Sequence, residues 1–354
     1  MKELLEKLDL ASVDNYSFVR VLIGGEASAS LLYEKSGGEE KVVVKMLIAP
    51  RNDTELELFY NEVEALRTLG NHDKQFTPKL LSDINHHNPY PVYYYIMEYI
   101  EGLTLKEYIE KKPLPWAWEE CIEMLDRIAS ALSYSSAFLV HRDLHLGNIL
   151  LTDTIDFDQD RFVYEDPGIR ILDFGCNKDL FKDLMGQWYE DRFRHPGAIS
   201  TWSPEFIINP QAVDRQHDSW ALGVLLFRFL TNEYPIHGNC FGDLTAKYQN
   251  QDELMSRIDS YGFPKAVNML LKNLLSFDPN VRFLTGEIGD MCSDILYRNL
   301  MEMDEDFLVQ YMDYRPSIHQ CFRCGHLVGR RHAKCPGCNI VLDEETCLPV
   351  LKRK

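Results

Sequence analysis

The sequence lacks the long apolar runs that would place it in a membrane. The richest apolar stretch, residues 221–230, is about ten residues long and contains Arg228, whereas a membrane-spanning helix needs about 20. The first ten residues, MKELLEKLDL, lack the apolar core of a secretory signal. We therefore expect a cytoplasmic chain without membrane contacts.

Basic residues are scarce in most of the chain. Across 354 residues, 37 Lys and Arg face 55 Asp and Glu, for a formal net charge of −18. Such a field repels nucleic acid and anionic membrane surfaces, so neither is an expected partner. Residues 315–354 are the exception, because eight basic residues there outnumber three acidic ones.

The cysteine pattern does not fit a disulfide framework. There are nine cysteines, an odd number, and four of them form two Cys-x-x-Cys pairs: Cys321, Cys324, Cys335 and Cys338. Two such pairs can complete a tetrahedral Cys₄ site for Zn²⁺ without an open position for catalysis. The spacing predicts a small structural zinc ribbon over residues 319–342.

Basic residues between the two cysteine pairs, such as Arg330 and Lys334, favour docking of a protein partner on the ribbon. Nucleic acid is not expected there, because no aromatic residues are interleaved with the basic ones. Two alternatives to docking stay open. In one alternative, the basic residues only keep a small ribbon soluble. In the other, the ribbon packs on the acidic remainder of its own chain.

Ahead of the ribbon, the patterning changes from strand-like to helical. The leucines of residues 1–14 predict a short helix. Three β-rich runs with glycine turns, residues 18–23, 30–33 and 41–46, predict an antiparallel meander. Residues 54–69 have helical periodicity, and after Gly102 the chain is mainly helical to about residue 302.

Three polar residues suit phosphoryl transfer. Asp143 and Asn148 lie in the segment HRDLHLGN, and Asp173 precedes Phe174-Gly175. One aspartate can orient a hydroxyl, while an amide oxygen and a second carboxylate can hold metal ions against a triphosphate. Lys45, at the end of a β-branched run, and Glu62, on the next helix, could supply a positioned cation for phosphate oxygens.

In this order and spacing, residues 16–302 resemble the eukaryotic-type protein kinase superfamily. Further segments match motifs of that family: Met97 as gatekeeper, Glu98-Tyr99-Ile100 as hinge, Ser203-Pro204-Glu205 for Ala-Pro-Glu, the helix motif from Asp218 to Gly223, and Arg282.

The resemblance implies a role for each matched residue. Asp143 would take the substrate hydroxyl proton, and Lys45, positioned by Glu62, would neutralise phosphate oxygens. Asn148 and Asp173 would hold Mg²⁺. ATP would also contact four further residues: Gly24, Gly25, Glu98 and Tyr99. Glu205 and Arg282 would form a buried structural ion pair.

The expected fold class is α+β, a bilobal kinase-like fold plus the Cys₄ ribbon. An antiparallel sheet with one helix forms the N-lobe, and the C-lobe is mainly helical. The predicted divisions are a helix (1–14), N-lobe (15–99), C-lobe (100–302), linker (303–318), ribbon (319–342) and basic tail (343–354). The expected activity is ATP- and Mg²⁺-dependent phosphorylation of a protein hydroxyl, on serine or threonine.

Two departures from the family pattern keep rival functions open. In the glycine loop, Glu26 and Ala29 replace the second and third glycines, which would weaken nucleotide binding or leave a pseudokinase scaffold. Protein serine/threonine kinases have a lysine at the position of His145. A histidine at this position resembles atypical and small-molecule kinases of the superfamily. A purely local hydrogen bond of His145 within its loop is the alternative.

Overall fold

The computed structural model describes residues 2–24, 28–35, 37–38, 40–70, 76–87, 90–136, 139–152, 168–176, 178–179, 201–209, 214–236, 247–297, 318–320 and 327–329. The chain divides into two compact units. The first is Met1–Gly102 with Arg170–Asn177, and the second is Leu103–Ile169 with Lys178–Lys354.

The first unit is built on an antiparallel sheet with strand order β1-β2-β3-β4-β6-β5. Its elements are α1 (Lys2–Lys7), β1 (Ser12–Val13), β2 (Tyr16–Gly24), β3 (Ser28–Lys35), β4 (Lys41–Ile48), α2 (Asp53–Gly70), β5 (Asn85–His87) and β6 (Val92–Glu98).

Strand β4 is buried on both faces, and its alternating side chains pack into two different core clusters. Val44 and Met46 belong to a core cluster that includes Leu5 of α1 and Tyr33 of β3. Leu47, on the opposite face, packs with residues of α2. Lys45 shares that second face with Leu47, which brings it to the side of the sheet covered by α2.

The predicted helix over residues 1–14 is shorter in the structure, since α1 ends at Lys7. Asp9 has a left-handed φ of 55°. The N–H of Leu10 donates to the Leu5 carbonyl and that of Asp9 to the Glu6 carbonyl, the pattern that ends many helices. Leu5 and Leu10 are both buried, so the chain turns into β1 without losing their apolar contact.

The second unit is mainly helical among its described residues. Its helices are α3 (Leu105–Lys111), α4 (Trp118–Ser136), α5 (Pro204–Ile208), α6 (Gln216–Thr231), α7 (Gln251–Ser260), α8 (Lys265–Leu274) and α9 (Thr285–Tyr297). Its short strands are β7 (Leu103–Thr104), β8 (Leu139–Val140), β9 (Ile149–Leu151), β11 (Lys178–Asp179), β12 (Ile318–Gln320) and β13 (Leu327–Gly329). One further strand, β10 (Ile169–Ile171), carries the chain back into the first unit.

Helix α6 lies in the interior of the second unit, where nearly all of its residues are buried. Gly223 allows α8 to approach closely, because a Cβ there would lie 2.8 Å from Leu274 Cβ. None of the described helices is long and apolar enough to cross a membrane. The four ribbon cysteines lie outside the described residues.

Helices α4 and α9 enclose a carboxyl group. Asp126 of α4 is 5% exposed, and a Cβ at Gly289 of α9 would lie 3.2 Å from its Oδ1. Burial raises the pKa of Asp126 to about 7; Arg127 opposes the shift, and Asp290 and Glu123 add to it. The ordinary value is 3.8. The folded state therefore holds this proton more tightly than the unfolded chain does. The free energy of unfolding falls as the pH rises from 3.8 to about 7, and the loss is complete above that.

We predict that Asp126→Asn stabilises the chain in a pH-dependent way. At pH 8 the free energy of unfolding should rise by about 2–4 kcal/mol, and this gain should shrink by roughly 2 kcal/mol at pH 5, because the parent carboxyl is then protonated. Urea denaturation at both pH values measures the difference. Asp252→Asn, at an exposed position of α7, is the control. An equal effect of Asp126→Asn at both pH values would contradict the assignment.

Candidate functional site

The residues that the sequence singles out for phosphoryl transfer fall into two groups, one in each unit. Lys45, Glu62 and Asp173 belong to the first unit, and Asp143 and Asn148 belong to the second. Each group has its own geometry.

In the first unit, the ammonium of Lys45 is buried between two carboxylates. Its Nζ lies 2.5 Å from Glu62 Oε2 and 3.4 Å from Asp173 Oδ1. The side chains of Lys45 and Glu62 are 11% and 4% exposed, whereas that of Asp173 is 46% exposed. One carboxylate is therefore enclosed and the other remains open to solvent.

Electrostatics keep this lysine charged. Burial alone would favour the neutral amine, but the negative charges of Asp173 and Glu62 outweigh it and raise the pKa of Lys45 above its ordinary value. Glu62 is the more heavily desolvated acid, and burial raises its pKa to about 7 against the opposing charge of Lys45. The group is thus a fixed cation with one enclosed and one exposed anionic neighbour.

Asp173 is positioned by its own backbone and by the glycine that follows. Its φ is 60°, in the left-handed region, and the Gly175 N–H donates to its Oδ1 at 3.3 Å. A Cβ at Gly175 would lie 3.3 Å from the Leu58 carbonyl oxygen of α2. Between them, Phe174 is fully buried. Glycine at 175 therefore lets this segment lie against the helix that carries Glu62.

An apolar row lies beside Lys45 on the same face of the sheet. In β3, β4 and β6, Leu32, Val43 and Met97 are cross-strand partners. Two residues along, Ser30, Lys45 and Tyr95 form the parallel row. Directly paired residues of antiparallel strands share a face, as do residues two apart. A row of apolar side chains thus adjoins a buried cation.

Tyr95 is a residue of this group that motif reasoning missed. It is fully buried, lies opposite Lys45, and its ring centroid is 5.1 Å from that of Phe59 of α2. Burial raises its pKa well above the ordinary value, and the charges of Glu62 and Asp173 add to the rise. Strand alternation alone does not predict its place, because the pairing of Tyr95 with Lys45 depends on the register between β4 and β6.

The hinge and glycine-loop residues are only partly described. The Glu98 N–H donates to the Lys79 carbonyl at 2.9 Å, and the Glu98 carboxylate accepts from the Lys79 N–H at 3.1 Å. The ammonium of Lys41 lies 5.6 Å from the centroid of the Tyr99 ring. Gly24 ends β2 opposite Ala29, whereas Gly25 lies outside the described residues.

In the second unit, backbone hydrogen bonds shape the loop that carries Asp143, residues 141–148. The Asn148 side-chain Nδ2 donates to the Asp143 carbonyl at 3.0 Å, which directs the amide oxygen of Asn148 elsewhere. The buried carboxylate of Asp218 accepts the N–H groups of His141 and Arg142 at 2.8 and 3.0 Å. Burial raises the pKa of Asp218 to about 6, although these two hydrogen bonds lower it.

His145 forms a local hydrogen bond within its own loop, as the structural alternative for this residue predicts. The Gly147 N–H donates to its Nδ1 at 3.0 Å, so the Nε2 of the neutral ring carries the proton. That Nε2 lies 4.0 Å from Asp143 Oδ2. A Cβ at Gly147 would lie 3.0 Å from the imidazole, so any larger residue there would press against the ring. The ring therefore both closes the loop and faces the carboxylate of Asp143.

The Glu205–Arg282 ion pair ties α5 to the segment before α9. The Arg282 side chain is fully buried, and its Nη1 and Nη2 donate to the two carboxylate oxygens of Glu205 at 2.6 and 2.8 Å. Its Nε donates to the Ser276 carbonyl at 2.7 Å. Burial disfavours the carboxylate, but the bonds and charge of Arg282 outweigh it and hold the pKa of Glu205 below its ordinary value.

We predict that Arg282→Met lowers the free energy of unfolding by about 3–5 kcal/mol, because it leaves a desolvated carboxylate without its cation. The matched control is Lys272→Met. Its partner is Asp259, both side chains are more exposed, and the expected loss is below about 1 kcal/mol. Urea denaturation compares the two. Equal losses would show that burial gives the Glu205–Arg282 pair no special weight.

Comparison with known proteins agrees with this geometry. A family model described as protein tyrosine and serine/threonine kinase matches residues 17–290. Serine/threonine-protein kinase PrkC of Bacillus subtilis is 26% identical over 283 residues, 79% of this chain and 40% of that protein. Probable serine/threonine-protein kinase PknB of Lactococcus lactis is 27% identical over 289 residues, 80% of this chain and 42% of that protein.

Serine/threonine-protein kinase PknB of Mycobacterium tuberculosis is 23% identical over 207 residues, 58% of this chain and 30% of that protein. The chain spans less than half the length of these relatives. The predicted kinase domain is confirmed by the family model, which covers most of the chain. An antiparallel sheet with a single long helix, followed by a mainly helical unit, is the architecture expected of it. The chain belongs to the protein tyrosine and serine/threonine kinase family.

Proposed function

We propose that this chain is an ATP- and Mg²⁺-dependent protein serine/threonine kinase whose C-terminal segment is a zinc ribbon used for docking or regulation. The observation that carries the catalytic part is the charged Lys45 held between Glu62 and Asp173. A lysine enclosed in this way serves structure poorly, since burial opposes its charge. It suits a site in which a fixed cation must meet phosphate oxygens.

The first unit fits a nucleotide. The apolar row of Leu32, Val43 and Met97 would contact a base, and the adjoining row would place Lys45 for the phosphates. Lys45 would neutralise phosphate oxygens, while Glu62 and the packing around it keep the ammonium from turning away. In the hinge, Glu98 and Tyr99 follow directly after Met97, at the end of β6.

The donor groups fit Mg²⁺, which prefers oxygen ligands. The exposed carboxylate of Asp173 and the amide oxygen of Asn148 would each supply an oxygen ligand, since the Nδ2 of Asn148 already donates to the Asp143 carbonyl. When bound, the metal would neutralise charge on the phosphates. Asp143 would orient the acceptor hydroxyl and receive its proton.

Proteins are the favoured acceptors. The Glu205–Arg282 pair is formed and supports the Ser203-Pro204-Glu205 segment, which resembles the peptide-docking segment of protein kinases. The relatives from Bacillus, Lactococcus and Mycobacterium are named serine/threonine-protein kinases. The small-molecule alternative rests on His145, and its ring has a local structural role through the Gly147 N–H.

The ribbon proposal rests on the four cysteines and on a described hairpin. Strands β12 and β13 pair antiparallel, with Ile318 opposite Gly329 and Gln320 opposite Leu327. The six residues that connect them include Cys321 and Cys324. A hairpin whose connection carries a Cys-x-x-Cys pair would form one half of a Cys₄ ribbon, and Cys335 and Cys338 would supply the other half.

We predict that Asp143→Asn reduces phosphate transfer from radiolabelled ATP by about 10²–10⁴-fold, because the amide cannot accept the hydroxyl proton. Affinity for a fluorescent ATP analogue should stay within about twofold. Purified parent and variant are assayed on generic protein substrates, on peptides and on small metabolites.

Several outcomes would contradict the proposal. Transfer that does not depend on Asp143 would exclude this mechanism. Transfer to small metabolites alone would favour the small-molecule kinase. Nucleotide binding without transfer by the parent chain would favour the pseudokinase scaffold.

We predict about one Zn²⁺ per purified chain, lost in Cys321→Ser and in Cys335→Ser, because three thiolates no longer complete the tetrahedral site. Elemental analysis after gel filtration measures the metal. Cys347→Ser, at a tail cysteine outside both pairs, is the control and should keep its zinc. Zinc-free parent protein prepared without chelator would refute the ribbon.

A further inference from the structure

Two consecutive residues at the start of α6, His217 and Asp218, hold the same residue of the catalytic loop. Asp218 accepts the backbone N–H of Arg142 at 3.0 Å. The Nε2 of His217 lies 3.3 Å from the Arg142 carbonyl oxygen. Both peptide groups of Arg142, the residue before Asp143, are thus bound by α6.

The conformation of Arg142 explains why two contacts are needed. Its φ is 67°, in the left-handed region that costs a non-glycine residue about 1–3 kcal/mol and persists only where its surroundings enforce it. Asp218 by itself fixes the peptide group before Arg142. The next peptide group, which leads to Asp143, is held at both ends. Its N–H donates to His141 Nδ1 at 3.2 Å, and His217 binds its carbonyl oxygen.

The proton on His217 can be assigned from its partners. A carbonyl oxygen only accepts, so Nε2 must be the N–H donor. Burial lowers the pKa of His217 to about 3, so the ring is neutral and Nδ1 accepts. Nδ1 lies 2.8 Å from Ser203 Oγ, so the serine hydroxyl donates to it.

Ser203 carries this connection into α5. It is fully buried and is the N-cap of that helix, accepting the Phe206 N–H at 3.4 Å. The Phe206 ring also contacts both partners, with its centroid 4.9 Å from the His217 ring and 5.4 Å from the Arg142 guanidinium carbon. A continuous set of polar and ring contacts therefore runs from the Arg142 carbonyl through His217 to Ser203 and α5.

We propose that His217 and Ser203 are positioning residues, which fix the peptide group that precedes Asp143 and couple it to the Ser203-Pro204-Glu205 helix. Neither touches substrate in this proposal, which rests on the proposed function for its catalytic consequence. In the family pattern the position of Ser203 is an alanine, which has no hydroxyl to donate. The coupling is therefore particular to a chain that has both side chains.

Hydrogen–deuterium exchange tests the positioning without any assay of phosphate transfer. His217→Leu removes both hydrogen bonds at similar size, whereas His217→Gln keeps a side-chain N–H that can reach the Arg142 carbonyl. We expect His217→Leu to speed exchange in residues 141–148 by about tenfold, because a buried carbonyl loses its donor. His217→Gln should stay within about threefold of the parent there. Exchange in α9 should not change in either variant.

Kinetics then test the consequence. Per folded molecule, His217→Leu should lower kcat by about 10–100-fold, because the carboxylate of Asp143 is displaced. The KM for ATP should stay within about twofold, and His217→Gln should restore most of kcat. A role in stability alone would reduce the folded fraction and leave kcat per folded molecule unchanged, which would overturn the proposal.

Exchange in residues 141–148 and in α9 gives a second way to reject the proposal. Unchanged exchange in residues 141–148 of His217→Leu, or an equal rise in α9, would also overturn the positioning role of His217.

If His217→Leu does not fold, Ser203→Ala and His217→Gln are used instead. Each breaks the bond between Ser203 and His217, and Ser203→Ala also removes the cap of α5. Exchange in residues 204–208 should therefore rise in both, more in Ser203→Ala, and no further in the double variant than in Ser203→Ala. An additive rise would refute the coupling. Absence of phosphate transfer by the parent would refute the proposed function and leave the exchange result standing.

Discussion

The burial of a charged lysine is the constraint on which the first unit depends. An ammonium can leave water only if anions replace its hydration, and Lys45 meets that condition through Glu62 and Asp173. These anions come from separate parts of the chain, a helix after β4 and a segment more than a hundred residues later. Arg170–Asn177 accordingly groups with the first unit although its neighbours in sequence belong to the second. The charge of Lys45 thus stabilises the contact of these two segments with β4.

Strained backbone accompanies the proposed chemistry in both units. Asp173 has a left-handed φ, and so does Arg142, the residue before Asp143. In each case neighbouring groups enforce the conformation. The Gly175 N–H binds the Asp173 carboxylate, whereas Asp218 and His217 bind the two peptide groups of Arg142. Strain of this kind survives only when it is over-determined, so the supporting residues matter as much as those they support.

Some of the candidate residues are predicted from residue type and local periodicity in the sequence. Lys45 and Glu62 follow from a β-branched run and a helical period, and the Glu205–Arg282 pair follows from the family resemblance. Tyr95 and His217 could not be found in that way. The place of Tyr95 depends on strand register, which brings it opposite Lys45, and that of His217 on how α6 meets a loop some seventy residues earlier. The first helix was predicted too long, since nothing in its leucines shows that Asp9 takes a left-handed conformation.

The second unit retains buried polar groups where apolar ones of similar size would cost little stability. Replacing a buried ion pair or hydrogen-bonded pair by well-packed apolar residues is often neutral or stabilising. Ser203, His217, Asp218 and Arg282 are nonetheless all buried, and each forms a hydrogen bond. Apolar packing is nondirectional and would not fix the orientation of the Arg142 peptide groups in this way. Hydrogen bonds fix direction, and direction is what a carboxylate needs in order to receive a proton from a hydroxyl.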